Sequence, residues 1–247
     1  MAQKVAFITG GNRGIGFQTA LDLKDSGVKV VIGARDAKQG EEAAEKLRAQ
    51  GVDAEAIQFD ITNEADHKAA YDYFNSKYGK LDILINNAGI AGGTFPGTGP
   101  EHRASDVPMD LLHKVFETNF FAPVALTERL LPLIKKSDAG RIVNLSSILG
   151  SLALHADPKS PIYHAKSFAY DASKTALNAF TVHLAYELRD TNIKVNSAHP
   201  GWVKTDMGGS QAPMEIADGA KTSVELATLP DSGPSGGYFH LGKPLPW

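Results

Sequence analysis

Tyr170 and Lys174 are four residues apart, so on a helix their side chains share a face and can enter one cleft together. A free phenol titrates at about 10, too high for efficient proton exchange at neutral pH. An ammonium about 4 Å away contributes roughly 4 kcal/mol at an effective dielectric of about 20, close to a depression of about three pKa units. The pair can therefore be read as a proton donor and acceptor. Spacing alone does not single it out, because a Tyr-x-x-x-Lys also opens ordinary amphipathic helices. Its weight comes from place, beyond a strand that ends Asn144-Leu145-Ser146-Ser147.

A second group of residues could hold phosphate. Thr9-Gly10-Gly11-Asn12-Arg13-Gly14-Ile15-Gly16 follows the first apolar run and opens the first helical stretch. Glycines there permit a tight turn and a close backbone approach to a pyrophosphate, which then faces the helix N-terminus. The second strand ends Gly33-Ala34-Arg35-Asp36. A site selective for NAD places a carboxylate near this point, whereas a ribose 2′-phosphate needs cations. Ala34 stands where that acid is expected, and Arg35 with Arg13 could share one phosphate dianion. Solvated surface charge is the plainer reading of both arginines. Asp36, three residues before Gln39, reads as a capping residue for the next helix. NADP(H) is therefore the expected cofactor. Asp60-Ile61 follows the third strand, where the carboxylate could accept from the adenine amino group or form a turn. Asn86-Asn87-Ala88-Gly89 ends the fourth strand and offers amides with little side-chain bulk.

These residues need a scaffold, and the sequence supplies one. Apolar, β-branched runs at 4–9, 28–33, 54–59, 81–86, 140–146, 193–198 and 237–241 alternate with helical periodicity at 15–26, 38–50, 64–78, 108–136, 170–189 and 213–229. Such alternation predicts an α/β fold: one Rossmann-type, doubly wound domain over 1–247, with a seven-stranded parallel sheet flanked by helices. Ligands in these sheets bind beyond the carboxyl ends of the strands, where the residues above lie. Three stretches are irregular: 91–106, an insertion at 149–169 expected in the substrate cleft, and 201–213, expected to be a mobile substrate loop.

The ordered set Gly10 to Gly16, Asn86 to Gly89, Asn119, Ser147 and Tyr170-x-x-x-Lys174 resembles the short-chain dehydrogenase/reductase family across essentially the whole chain. Within it, the NADPH-dependent carbonyl reductase branch is most similar. That closer match rests on the glycine turn, Ala34-Arg35-Asp36, Thr118-Asn119-Phe120-Phe121, Leu130-Leu131-Pro132-Leu133-Ile134-Lys135 and Pro200-Gly201-Trp202-Val203-Lys204-Thr205-Asp206-Met207. The resemblance implies that Tyr170 is the general acid in carbonyl reduction, and that Lys174 lowers its pKa and holds the nicotinamide ribose. Ser147 would hydrogen bond the substrate carbonyl, with Ser146 as the alternative, and Asn119 would help hold a water chain from Lys174. Around NADP(H) it implies Gly10, Asn12, Arg13, Gly14, Ile15, Gly16, Arg35, Asp60, Ile61, Asn87, Ala88, Gly89, Pro200, Gly201, Val203, Lys204 and Thr205, besides Tyr170 and Lys174. The interval from Ser147 to Tyr170 exceeds that of most family members but is shorter than in monomeric animal carbonyl reductases. A homodimer, a homotetramer and a monomer all remain compatible with it.

Composition narrows the alternatives. The chain has 247 residues, a formal net charge of −3 and no cysteine. No basic field favours nucleic acid or an anionic membrane, so small molecules are the expected partners. The resemblance makes the substrate a carbonyl, and with no long hydrophobic stretch a cytoplasmic enzyme is expected. Thiolate chemistry is excluded. The eight histidines form no H-E-x-x-H motif, no metal site is expected, and no G-x-S-x-G marks a serine hydrolase. A 3-oxoacyl thioester reductase or a sugar or steroid alcohol dehydrogenase would share every catalytic residue. A catalytically silent NADP-sensing protein would share the fold, but such proteins typically lose the Tyr or the Lys, and both are present here.

Overall fold

Val5–Thr9 (β1) is an unbroken run in which all five residues are buried, as a strand covered on both faces requires. Val5 and Phe7 enter one apolar layer, with Phe59, Phe74, Leu126, Leu130 and Ile142. Ala6 and Ile8 enter the other, with Leu23, Ile32, Leu47 and Ile85. Period-two alternation along the strand thus supplies a core on each side of the sheet. The computed structural model describes residues 3–93 and 103–247.

The other strands are Lys29–Ala34 (β2), Ala54–Gln58 (β3), Ile83–Asn86 (β4), Arg141–Leu145 (β5), Lys194–Ala198 (β6), Tyr238–His240 (β7) and Lys243–Pro244 (β8). They lie in the order β3-β2-β1-β4-β5-β6-β7-β8. Pairing is parallel from β3 through β7, with registers such as Ile8 opposite Ile85 and Leu145 opposite Ala198. The chain reverses direction across the sheet between β1 and β4, and the crevice for a ligand opens beyond their carboxyl ends.

Helices Gly14–Asp22 (α1), Ala37–Ala49 (α2), Glu64–Lys77 (α3), Met109–Phe116 (α4), Ala122–Ile134 (α5), Leu152–Ala156 (α6), Phe168–Glu187 (α7) and Ile216–Ala227 (α8) complete the described elements. Local chemistry sets several starts. Asp36 accepts from Gln39 N at 2.8 Å to cap α2, and Asn63 accepts from Ala65 N at 3.0 Å to cap α3. The stretch expected as one helix at 108–136 contains a π-helical turn, Glu117–Phe121, between α4 and α5. Pro123 explains the wider turn, since it has no N–H for a bond to the residue four before it.

Two further features differ from expectation. The sheet has eight strands rather than seven, and β8 runs antiparallel to β7. The chain turns at Leu241 and Gly242, both at positive φ, and the two residues of β8 are too few to show alternation. In the 149–169 insertion, Ser151 caps the short α6 by accepting from Leu154 N at 3.2 Å. Five residues fall below the length at which helical periodicity becomes visible. Part of the irregular 91–106 stretch lies outside the described residues.

Candidate active site

Three of the expected residues meet where β5 ends and α7 begins. Ser147 caps the 3-10 turn Ile148–Gly150, its Oγ accepting from Leu149 N at 3.3 Å. The same hydroxyl stands beside the Tyr170 phenol and acts to lower its pKa. Tyr170 sits in the first turn of α7, 6% exposed, with its ring against Leu149 and Ile162. One turn on, Lys174 donates from Nζ to the Leu145 carbonyl at 2.7 Å, and Nζ stands 5.7 Å from the centre of the Tyr170 ring. The helix comes this near because Gly150 has no side chain; a Cβ there would stand 2.9 Å from the Lys174 carbonyl carbon. Ser146 faces the buried phenol of Tyr238 instead, so of the two serines it is Ser147 that meets Tyr170.

Burial decides the protonation of the pair. It pushes Tyr170 up to about 12, opposed by the Ser147 hydrogen bond and reinforced by the neighbouring Asp171 charge. It also pushes Lys174 down to about 8. In this arrangement the phenol is raised, against the expected depression by Lys174. The ammonium is committed to the Leu145 carbonyl, and desolvation disfavours the charged form of both groups. Tyr170 is held as the neutral phenol, a proton donor.

Asn119 lies in the π-helical turn and is 1% exposed. Its Oδ1 accepts from Ile90 N at 2.9 Å, while Nδ2 donates to Ile90 O at 2.8 Å and to Ser173 Oγ at 3.1 Å. The side chain thus braces the end of the β4 segment against α7. Pro123 leaves the Asn119 carbonyl without its usual donor four residues on. Gly89 keeps this corner open: a Cβ there would stand 3.3 Å from Asn119 Oδ1 and 3.6 Å from Lys174 Nζ.

The glycine turn fits an anion. Gly10 and Gly14 take φ of 63° and 56°, and Arg13, extended at the N-cap of α1, makes no side-chain cap. With no acidic residue in that first turn, its N–H groups are left for a phosphate. Asn12 and Ile15 flank the turn, and Gly16 lets Asn87 come close, since a Cβ at 16 would meet Asn87 Nδ2 at 2.5 Å. Asn87 Nδ2 donates to Thr9 O at 2.8 Å and to Gly10 O at 3.2 Å, which ties the glycine turn to the end of β4. Ala88 N donates to Thr9 Oγ1 at 3.0 Å.

Arg35 is exposed at the end of β2, and the buried Ala34 packs toward Gly40. No carboxylate at 34 opposes a 2′-phosphate. Asp60 makes a turn, its Oδ1 accepting from Thr62 N at 3.0 Å and Thr62 Oγ1 at 2.8 Å, and Ile61 is buried. After β6 come Pro200 and Gly201, then Val203, which bridges to Met214. Lys204 turns to an exposed pair with Glu215 rather than inward. Thr205 reaches the glycine turn, its Cγ2 3.7 Å from the Cβ position of Gly14, and Arg13 pairs with Asp206 at 2.6 Å. The 201–213 loop is tied to that turn and, through the Trp202 indole donating to Gly208 O at 2.8 Å, to itself.

Sequence reasoning missed Gly150 and His199. The glycine was visible in Ser146-Ser147-Ile148-Leu149-Gly150, but nothing local shows that α7 crosses it. His199 adjoins Pro200-Gly201 and packs at the base of the site.

A parallel sheet in this strand order, an uncapped glycine turn, and a Ser–Tyr–Lys cluster at the strand ends define a dinucleotide-binding oxidoreductase. The family model for short chain dehydrogenase matches residues 4–216, and the chain belongs to that family. It is 35% identical to carbonyl reductase [NADPH] 1 of Mus musculus over 285 aligned positions, covering 100% of this chain and 99% of that protein. It is 30% identical to (+)-neomenthol dehydrogenase of Capsicum annuum, covering 96% and 95%. Among solved structures it resembles NADPH-bound carbonyl reductase from chicken fatty liver, with a TM-score of 0.84, 27% identity and 100% of both chains covered. Salutaridine reductase from Papaver somniferum gives 0.82 and 31%, covering 97% and 100%. No helix among the described residues is long and apolar enough to cross a membrane.

Proposed function

We propose that this protein reduces the carbonyl group of a small ketone or aldehyde with NADPH. It is an NADP-dependent oxidoreductase of its family, and its carbonyl reductase relatives support a carbonyl substrate. The observation that carries the reaction is the juxtaposition of Ser147 and Tyr170, two buried hydroxyl residues that interact beside Lys174. A carbonyl oxygen placed there would accept from both. The nicotinamide, when bound, supplies the hydride to the carbonyl carbon. Ser147 orients and polarises the carbonyl, and Tyr170 gives its phenolic proton to the oxygen as negative charge develops. The raised pKa of Tyr170 keeps that proton in place at neutral pH, which suits reduction. Lys174 holds the Leu145 carbonyl and, through water at the Asn119 main chain, restores the proton to Tyr170. The glycine turn holds the pyrophosphate, and Arg35 with Arg13 meets the 2′-phosphate.

The test is NADPH oxidation across a panel of ketones, aldehydes and quinones, with Tyr170→Phe beside the wild type. The variant should lose at least about 1,000-fold in turnover, as expected when the proton donor is removed, while binding NADPH nearly as well. Near-normal turnover in the variant would overturn the role of Tyr170. A wild-type protein that binds NADPH but reduces nothing on the panel would overturn the activity.

A further inference from the structure

His199 is buried at the end of β6, 7% exposed, and its Nδ1 accepts from two backbone N–H groups. Ile148 N donates to Nδ1 at 3.1 Å, and Gly201 N donates to the same nitrogen at 3.3 Å. A nitrogen that accepts twice carries no proton, so the ring is neutral and protonated at Nε2. Burial and the neighbouring His240 hold it neutral. His240 fixes its plane in turn: the rings lie 4.8 Å apart, and His240 Nδ1 donates to the His199 carbonyl at 2.9 Å.

The two donors belong to different functional turns. Ile148 opens the 3-10 turn that Ser147 caps, and Ser147 in turn stands beside the Tyr170 phenol. Gly201 follows β6 and precedes the loop that reaches the glycine turn through Thr205. Both N–H groups are partly buried, and the imidazole nitrogen is the acceptor that each of them meets.

We infer that His199 is a positioning residue that pins the Ser147 turn and the Gly201 turn to one ring nitrogen, fixing the serine against Tyr170 for carbonyl reduction. The inference rests on the proposed reductase activity for its kinetic consequence, but not for the lock itself. Asparagine keeps an acceptor at the position of Nδ1, because both atoms are bonded to Cγ. Glutamine moves its acceptor one bond farther out, and leucine has none.

The experiment compares His199→Asn, His199→Gln and His199→Leu with the wild type by amide hydrogen exchange at Ile148 and Gly201 and by carbonyl turnover with NADPH. In the leucine variant both amides should exchange at least about tenfold faster together, while remaining protected in the asparagine variant. Turnover should fall about 10- to 100-fold in the glutamine and leucine variants, with the asparagine variant within about threefold of wild type. Unchanged protection of both amides in His199→Leu would overturn the lock, whatever the activity. Equal loss in the asparagine and leucine variants, following thermal stability alone, would overturn the positioning role. Absence of turnover in the wild type would count against the reductase reading, and the exchange data would still decide the lock.

Discussion

Arg13 in the glycine turn and Asp206 in the loop after β6 form an ion pair of 2.6 Å across 193 positions of the chain. Both side chains are exposed, 69% and 80%, so the pair adds little to folding. Its consequence is for binding, because Arg13 is also a candidate for the 2′-phosphate. Asp206→Ala removes the competing carboxylate and should tighten NADPH binding by up to about fivefold, the scale of about 1 kcal/mol for an exposed pair. NADH affinity should stay the same. Fluorescence titration with both cofactors checks this, and equal shifts for the two would refute a contest over the phosphate.

Arg35 is the other arginine assigned to that phosphate. Arg35→Asp replaces a charge-assisted donor with a repelling carboxylate, and should shift the NADPH-to-NADH ratio of kcat/KM by about 100-fold or more toward NADH. Kinetics with each cofactor measure it. An unchanged ratio would remove Arg35 from the cofactor site.

Lys174 makes the catalytic corner costly to fold. Its pKa falls from 10.5 to about 8 through burial, so the charged form is penalised in the native state. That contribution to stability is fully favourable above pH 10.5 and is lost as pH falls through about 8. Lys174→Met removes the titration. Between pH 8 and pH 10.5 the stability difference should therefore move toward the wild type by about 3 kcal/mol, while the variant is inactive throughout. Denaturant melts at a series of pH values provide the comparison, and a difference that does not vary with pH would contradict a depressed Lys174.

Arg141 concerns the scaffold alone. Its guanidinium is buried at the start of β5, donating to the carbonyls of Leu229, Gly140 and Asn192 and pairing with Asp231 at 2.9 Å. Arg141→Met strands the Leu229 and Asn192 carbonyls, while Gly140 O keeps its bond from Lys194 N, and should cost about 3–5 kcal/mol in unfolding free energy. Turnover per folded molecule should not change, since the residue lies at the end of β5 away from Ser147. Loss of activity without loss of stability would be the contrary result.

Much of this protein can be read from its chain because the information is local. β1 shows its burial as a continuous apolar run, and α2 shows its start in Asp36 and Gln39. The glycine turn and the four-residue spacing of Tyr170 and Lys174 are likewise local, and the ordered motifs carry the family. Each depends on neighbours in sequence, through strand pleat, helix period and capping.

The tertiary structure decided what depends on distant partners. Lys174 donates to the Leu145 carbonyl, and the burial of Tyr170 and Lys174 raises one pKa and lowers the other. Asn87 and Asn119 spend their amides on bracing Thr9, Gly10, Ile90 and Ser173. Arg13 meets Asp206 only because the loop after β6 folds back over the first turn. Hydrogen-bond commitment and desolvation are set by what packs around a group, and no spacing along the chain encodes them. The sequence by itself determined the fold, the family and the residues available for chemistry. Packing determined which of their atoms are free to perform it.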